Sequence, residues 1–341
     1  MPERPGRQPP RFSWQRSLLF SSLIVVAFFA ATEGLLRVVG VPRPVRVGLL
    51  LRLLDTDITF PFLRADADTF WAPIPGFQGE FLGRRVSINA LGLRGPEAAA
   101  DKARGRRRLV TFGDSITFGY GVADEETYAA RLAERGRDRG LEVLNAGVTG
   151  FTSHQLLAHL RRVAPRVQAD YVTICIGWND MTRRAATDRT YAAQLARSMA
   201  VEGLFERIHL YRALRNLYAR AAYRRLAAAP WTIARVPPAE YRENLGALVR
   251  LCRENGIRPS FLALPHRKRS GDAPPDPTYS DLLRAIAAEL QVPVLQIGDL
   301  AYSTPLATNE SLFIDALHFS AAGHSQLAGT LVPQLEALGW L

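Results

Sequence analysis

Three apolar runs, Leu109-Val110-Thr111-Phe112, Leu141-Glu142-Val143-Leu144 and Tyr171-Val172-Thr173-Ile174-Cys175-Ile176, each pass directly into a short turn of small or polar residues. Short apolar runs bounded by turn signals read as buried strands. Helical segments are expected between and after them, from about Glu126, from Ser153, from Pro238, from Thr278 and over Ala321 to Leu338, with further strands near Phe261 and at Val292. Strands alternating with helices constrain the chain to an α/β fold with a mostly parallel, doubly wound sheet. Ligands of such sheets bind outside the carboxyl ends of the strands. That is where the three turns fall.

The turns carry groups that can act together. Gly113-Asp114-Ser115 puts a serine at a strand-to-helix turn, with its hydroxyl and its backbone N–H at the sheet edge. Taken alone it is also an ordinary Gly-Asp-Ser turn. Asn145-Ala146-Gly147-Val148-Thr149-Gly150 ends in a glycine whose missing Cβ lets backbone approach a substrate oxygen, or which simply serves a turn. Gly177-Trp178-Asn179-Asp180 brings a side-chain amide that can donate to the same oxygen, or that closes an Asx turn with Asp180. A fourth stretch, Asp315-Ala316-Leu317-His318, places a carboxylate three residues from an imidazole, with Ser320 able to cap the following helix. Imidazole can accept a serine proton near neutral pH, and the carboxylate can fix its tautomer and stabilise the imidazolium. Together the four supply a nucleophile, a base, an orienting acid and oxyanion donors.

In this order the stretches Gly113-Asp114-Ser115, Gly150, Gly177-x-Asn179-Asp180 and Asp315-x-x-His318 resemble the four blocks of the SGNH (GDSL-type) hydrolases, in the manner of their membrane-anchored bacterial members. The similarity covers roughly Arg106 to Leu338. It implies a flavodoxin-like three-layer α/β/α sandwich and ester hydrolysis without a cofactor. It also implies Ser115 as nucleophile, His318 and Asp315 as the rest of a triad, and an oxyanion hole from Ser115, Gly150 and Asn179. Gly147 competes for the block-two role; Gly150 is preferred because it precedes the position that matches the family's Thr-Ser. Asp114 and His266 are candidate substrate-binding positions.

With 341 residues, 48% hydrophobic and 22% charged, the chain can bury a sizeable core. The net charge of +11 comes almost wholly from arginine, since Lys102 and Lys268 are the only lysines. The basic runs Arg104 to Arg108 and Arg267-Lys268-Arg269 lack interleaved aromatics, so they read as solvated faces, with anionic lipid or acidic glycan as the rival partner and no nucleic acid expected. Cys175 and Cys252 fall in apolar segments and read as buried free thiols. Six histidines and two cysteines show no metal-ligand spacing, so no metal is expected.

The amino terminus is the second informative region. Arg4, Arg7, Arg11 and Arg16 precede an uncharged run from Ser17 to Thr32, flanked by Trp14 and Glu33. At about 1.5 Å per residue the run reaches short of a ~30 Å hydrocarbon core, so it reads as a short anchor or a signal peptide. No Ala-x-Ala site closes it, because Phe28 and Phe29 precede Ala30 and Ala31; this favours the uncleaved anchor. Arg37, Arg43, Arg46 and Arg52 follow it, so arginine counts orient it poorly. A single-pass anchor with the catalytic part outside the cytoplasm is the expectation, and secretion after cleavage the alternative.

The expected layout is a basic tail over 1–16, the anchor or signal segment over 17–39, a connecting region with short strands over 40–105, and the hydrolase domain over 106–341. An extra helical stretch runs from about 190 to 231. In it Leu204, Phe205, Ile208, Tyr211, Leu214 and Tyr218 recur at helical spacing among Arg207, Arg212, Arg215, Arg220, Arg224 and Arg225. It reads as a helix packed on the sheet with an arginine-rich outer face, as a lid, or as a surface for anionic lipid. For the whole chain the expected substrate is a carboxylic ester of a lipid or glycan. An acyltransferase for a cell-surface glycan and a non-catalytic glycan-binding protein are the rivals.

Overall fold

The computed structural model describes residues 13–40, 60–193, 205, 207–228, 231–263, 277–297, 312–315 and 317–341, without the side chains at 65, 219–228 and 277–278. Two compact units divide the chain. One comprises residues 1–45 and 198–228, the other 46–197 and 229–341.

The smaller unit pairs helix α1 (Trp14–Val39) with the insertion helix His209–Ala228. Helix α1 has 26 residues, none of them buried, and a mean hydropathy of 2.0 over its most apolar window. It extends well past the uncharged run and reaches about 39 Å, long enough by length and composition to cross a bilayer. It ends on Gly40, whose positive φ of 73° closes the last turn, its N–H donating to the Leu36 carbonyl.

The larger unit opens with two antiparallel hairpins, β1 (Leu63–Asp66) with β2 (Phe70–Pro73) and β3 (Gln78–Phe81) with β4 (Arg84–Ser87). The α/β core follows. Strand β5 (Arg107–Gly113) leads into helix α2 (Ser115–Phe118) and helix α3 (Tyr128–Gly136). Next come β6 (Leu141–Gly147), α4 (Ser153–Val163), β7 (Tyr171–Cys175) and α5 (Trp178–Met181). A short hairpin of β8 (Arg183–Arg184) and β9 (Ile233–Ala234) joins the chain on either side of the insertion. The core ends with α6 (Pro238–Glu254), β10 (Arg258–Leu262), α7 (Pro277–Glu289), β11 (Val294–Leu295) and α8 (Ala321–Ala337).

Strands β5, β6, β7, β10 and β11 form one parallel sheet in the order β11-β10-β7-β5-β6. The alternation along each strand builds the layers. Val110 and Phe112 of β5, with Val172 and Ile174 of β7, face a core shared with Leu156 and Leu160 of α4, Leu245 and Leu248 of α6, and Leu283 of α7. Leu109, Tyr171 and Cys175 face the opposite core with Tyr128 and Leu132 of α3 and Leu327 and Leu331 of α8. Side chains that point to both faces of a buried parallel strand need helices on both sides. The result is the expected three-layer sandwich.

The strand order reverses between β5 and β7, a topological switch point. In the register Gly113 stands level with both Gly147 and Cys175. The three turns that follow these residues therefore leave the sheet at one height.

Particular boundaries differ from the sequence expectation. Strand β6 continues through Asn145-Ala146-Gly147, and β11 begins at Val294 rather than Val292. Arg108 is not part of a solvated face: it is 1% exposed, donates to the Val167 carbonyl at 2.6 Å and pairs with Glu142 at 2.7 Å. The run Arg267-Lys268-Arg269 lies outside the described residues. Cys175 and Cys252 are buried and free, as expected.

Candidate active site

Ser115 is the first residue of α2, immediately after β5. Asp114 caps that helix, its Oδ1 accepting from the Ile116 N–H at 3.0 Å. As the first helical residue, Ser115 keeps a backbone N–H with no partner inside the helix. Helix α2 presses on β6: a Cβ on Gly147 would lie 2.2 Å from the Phe118 nitrogen and 2.6 Å from the Thr117 carbonyl carbon. Gly147 is thus a glycine for close packing under the serine, and its own N–H is spent on Asn145 Oδ1 at 3.0 Å.

Gly150 differs. Its φ is 79°, a left-handed conformation that favours glycine. Neither its N–H nor that of Ser115 has an acceptor among the described residues. Its carbonyl is held by Arg235 Nη1 at 2.9 Å, and the preceding carbonyl, of Thr149, accepts from the Trp71 indole at 2.9 Å. With both carbonyls tied down, the peptide carrying the Gly150 N–H has a set direction. Arg235 is in turn paired with Asp188 at 2.9 Å, and both are almost wholly buried.

Asn179 lies on α5, which Gly177 opens with a φ of 147°. Its Nδ2 donates to the Phe151 carbonyl at 3.0 Å and stands 3.3 Å from Asp114 Oδ2. Asp114 is 1% exposed, and burial pushes its carboxyl up to about 6 against the hydrogen bond from Ile116. Its oxygens face the turn and Asn179. Asp180 is also buried, accepting from the Ser153 N–H at 3.0 Å, and burial raises it to about 7.

Asp315 and His318 sit in a tight loop pinned by bonds from the Ile314 N–H to the His318 carbonyl and from the Ser320 N–H to the Leu312 carbonyl, both 2.9 Å. Asp315 Oδ1 accepts the N–H groups of Leu317 and His318 at 2.8 and 2.7 Å. Its Oδ2 accepts from His318 Nδ1 at 2.7 Å. Burial works to raise the Asp315 carboxyl, but the bonds and charge of His318 outweigh it and hold it down at about 2. The other ring nitrogen, Nε2, stands 2.8 Å from Ser115 Oγ. Serine, imidazole and carboxylate form one continuous hydrogen-bonded chain.

Sequence reasoning missed Tyr120, whose ring stacks on His318 with centroids 4.3 Å apart and makes an edge-type contact with Phe81 of β3 at 5.5 Å. It also missed Arg94, buried in the connecting region. Arg94 donates to the carbonyls of Phe118 and Val122 at 2.6 Å each and pairs with Asp124 at 3.0 Å, clamping the far end of α2. An aromatic between Gly119 and Gly121, and the lone arginine of Leu93-Arg94-Gly95, were the only signals of either. His266 lies outside the described residues. Among those residues no group of histidine, cysteine and carboxylate ligands could hold a metal ion. A cleft of about 890 Å³ runs along the β6 edge and includes none of Ser115, Asn179 or His318.

The profile of the GDSL-like lipase/acylhydrolase family matches residues 111–326, which spans every block of this arrangement. The chain belongs to that family. No sequence match is found among curated proteins. Of solved structures, the chain is similar to a lipase/acylhydrolase from Enterococcus faecalis, at 21% identity over 68% of this chain and 96% of that one, with a TM-score of 0.44. It is also similar to the psychrotrophic esterase EstA from Pseudoalteromonas sp., at 14% identity over 68% and 98% of the two chains, with a TM-score of 0.45. Family members are acylhydrolases, and the serine at the start of α2 falls inside the matched segment.

Proposed function

We propose that this chain is a membrane-anchored serine hydrolase of carboxylic esters, with Ser115, His318 and Asp315 as its triad. The observation that carries the reading is the unbroken chain of contacts, 2.8 Å from Ser115 Oγ to His318 Nε2 and 2.7 Å from His318 Nδ1 to Asp315 Oδ2. Ser115 Oγ attacks the acyl carbonyl while His318 Nε2 takes its proton. The oxyanion forms against the N–H groups of Ser115 and Gly150 and the Asn179 amide, which exchanges its long contact with Asp114 for the developing charge. His318 then protonates the departing alkoxide. Water attacks the acyl-enzyme with His318 again as base, releasing the acid and restoring the serine. A lost oxyanion donor costs roughly 2.7–4 kcal/mol of transition-state stabilisation.

The membrane part of the proposal rests on α1, long and apolar enough to span a bilayer. An uncleaved single pass would carry residues 40–341 as the catalytic part, outside the cytoplasm, facing an acylated lipid or glycan. The test is hydrolysis of short-chain p-nitrophenyl esters by the purified full chain in detergent, beside the Ser115→Ala variant. Turnover that the variant lacks supports the reading; equal turnover by both forms contradicts it.

A further inference from the structure

The insertion helix exposes the wrong side chains for water. Leu214, Leu217 and Tyr218 are 59%, 65% and 68% exposed, and their spacing of three and four residues puts them on one face. The neighbouring Phe205 and Ile208 are exposed as well. The same helix carries five arginines, Arg212, Arg215, Arg220, Arg224 and Arg225, and no aspartate or glutamate occurs between Glu206 and Glu240. Arg215 lies over the Tyr218 ring at 5.8 Å. Apolar and basic groups without acidic ones make the composition of helices that lie in the headgroup layer of anionic membranes, where arginine stems cover apolar surface and the guanidinium reaches phosphate.

A second observation places this helix at the right depth. Glu33 of α1 follows directly on the uncharged run Ser17 to Thr32. Its Oε2 accepts the Leu210 N–H at 2.8 Å, and its Oε1 accepts the His209 N–H at 3.0 Å. A carboxylate of α1 therefore caps the insertion helix, satisfying two of the donors that a helix start leaves open. If α1 spans a bilayer, Glu33 stands where hydrocarbon ends and headgroups begin, and the insertion helix begins there too.

We propose that the insertion helix His209–Ala228 is a second membrane-contacting element, lying in the headgroup layer of an anionic lipid surface and held at that depth by Glu33. The inference rests on the membrane-anchor reading of α1. Its partner is a phospholipid surface with net negative charge, met by Leu214, Leu217 and Tyr218 on the apolar side and by Arg212 and Arg215 at the phosphates.

The test uses the full chain with Leu217→Cys carrying a nitrobenzoxadiazole probe; Cys175 and Cys252 are buried and stay unlabelled in the folded protein. The protein is reconstituted in vesicles of phosphatidylcholine, or of phosphatidylcholine and phosphatidylglycerol in equal parts, each with and without nitroxide-bearing lipid. Co-flotation with both vesicle types reports α1, and its failure overturns the anchor reading on which the inference stands. Given flotation, the expected result is blue-shifted probe emission and several-fold stronger nitroxide quenching in the anionic vesicles. High salt, or Arg212→Glu with Arg215→Glu, should lower that quenching several-fold without loss of flotation. A floating protein whose probe stays in water, or is quenched equally in both lipids, overturns the proposal. So does a blue-shifted probe that lipid nitroxide does not reach, because the face is then covered by a second copy of the chain.

Discussion

Ser115 and His318 are 203 positions apart in the chain and 2.8 Å apart in space, so what the serine can do depends on how firmly the loop bearing His318 is held. Asp315 holds it with both oxygens, through two backbone N–H groups and the ring. Replacing Asp315 by Asn keeps the size but supplies a donor where the ring's N–H needs an acceptor. The expected outcome is a fall in kcat of about 10³–10⁴-fold with KM little changed, read from steady-state kinetics on a p-nitrophenyl ester. The buried carboxyl of Asp180 titrates in the opposite sense to Asp315. Burial raises it from 3.8 to about 7, so the folded protein binds this proton more tightly than the unfolded chain. Its ionisation therefore removes stability as pH rises from near 4 to near 7. Asp315, held at about 2, adds stability that is present above 3.8 and lost as pH falls towards 2. The thermal midpoint of Asp180→Asn should therefore gain on that of the wild type as pH rises from 4 to 7; a difference between the two that does not change with pH contradicts the assignment.

At the scale of elements, the loop that carries Gly150 is held from outside the segments that carry Ser115, Asn179 and His318. Trp71 comes from the hairpin strand β2, and Arg235 follows the strand β9 that receives the chain after the insertion. Arg235→Met strands Asp188 as a buried charge without its partner. It should cost roughly 3–5 kcal/mol in urea unfolding, whereas Arg162→Met, at a partly exposed pair with Asp66 and Asp68, should cost about 1 kcal/mol or less. Similar losses at both sites would contradict the distinction. These supports explain what sequence could reveal. The turns that carry Ser115, Gly150 and Asn179 and the loop that carries Asp315 and His318 were legible because each follows an apolar strand or precedes a helix cap. Trp71, Arg94 and Arg235 were not, because a side chain that holds a distant carbonyl leaves no period in the sequence. The docking of the insertion helix on α1 was hidden for the same reason: Glu33 and His209 are 176 residues apart.

For the whole molecule, the mostly parallel sheet follows from five apolar strands and their connecting helices, and strand ends differ from the apolar runs in both directions: pairing carries β6 on to Gly147, whereas β11 starts only at Val294. The two-unit division was not legible, since the insertion interrupts one unit to complete the other. The tryptic peptide Ser17–Arg37 should be recovered from carbonate-washed membranes of expressing cells, attached to the full chain. Its absence from a soluble, exported product would mean that the segment is cleaved.

If Ser115 becomes acylated during turnover, a phosphonate ester that halts at the corresponding covalent stage should be captured on it. After treatment with p-nitrophenyl ethylphosphonate, the tryptic peptide Leu109–Arg131 should carry the phosphonyl mass on Ser115, and the His318→Ala variant should remain essentially unlabelled. A folded, unlabelled wild-type chain, or a label on another residue, would contradict the account.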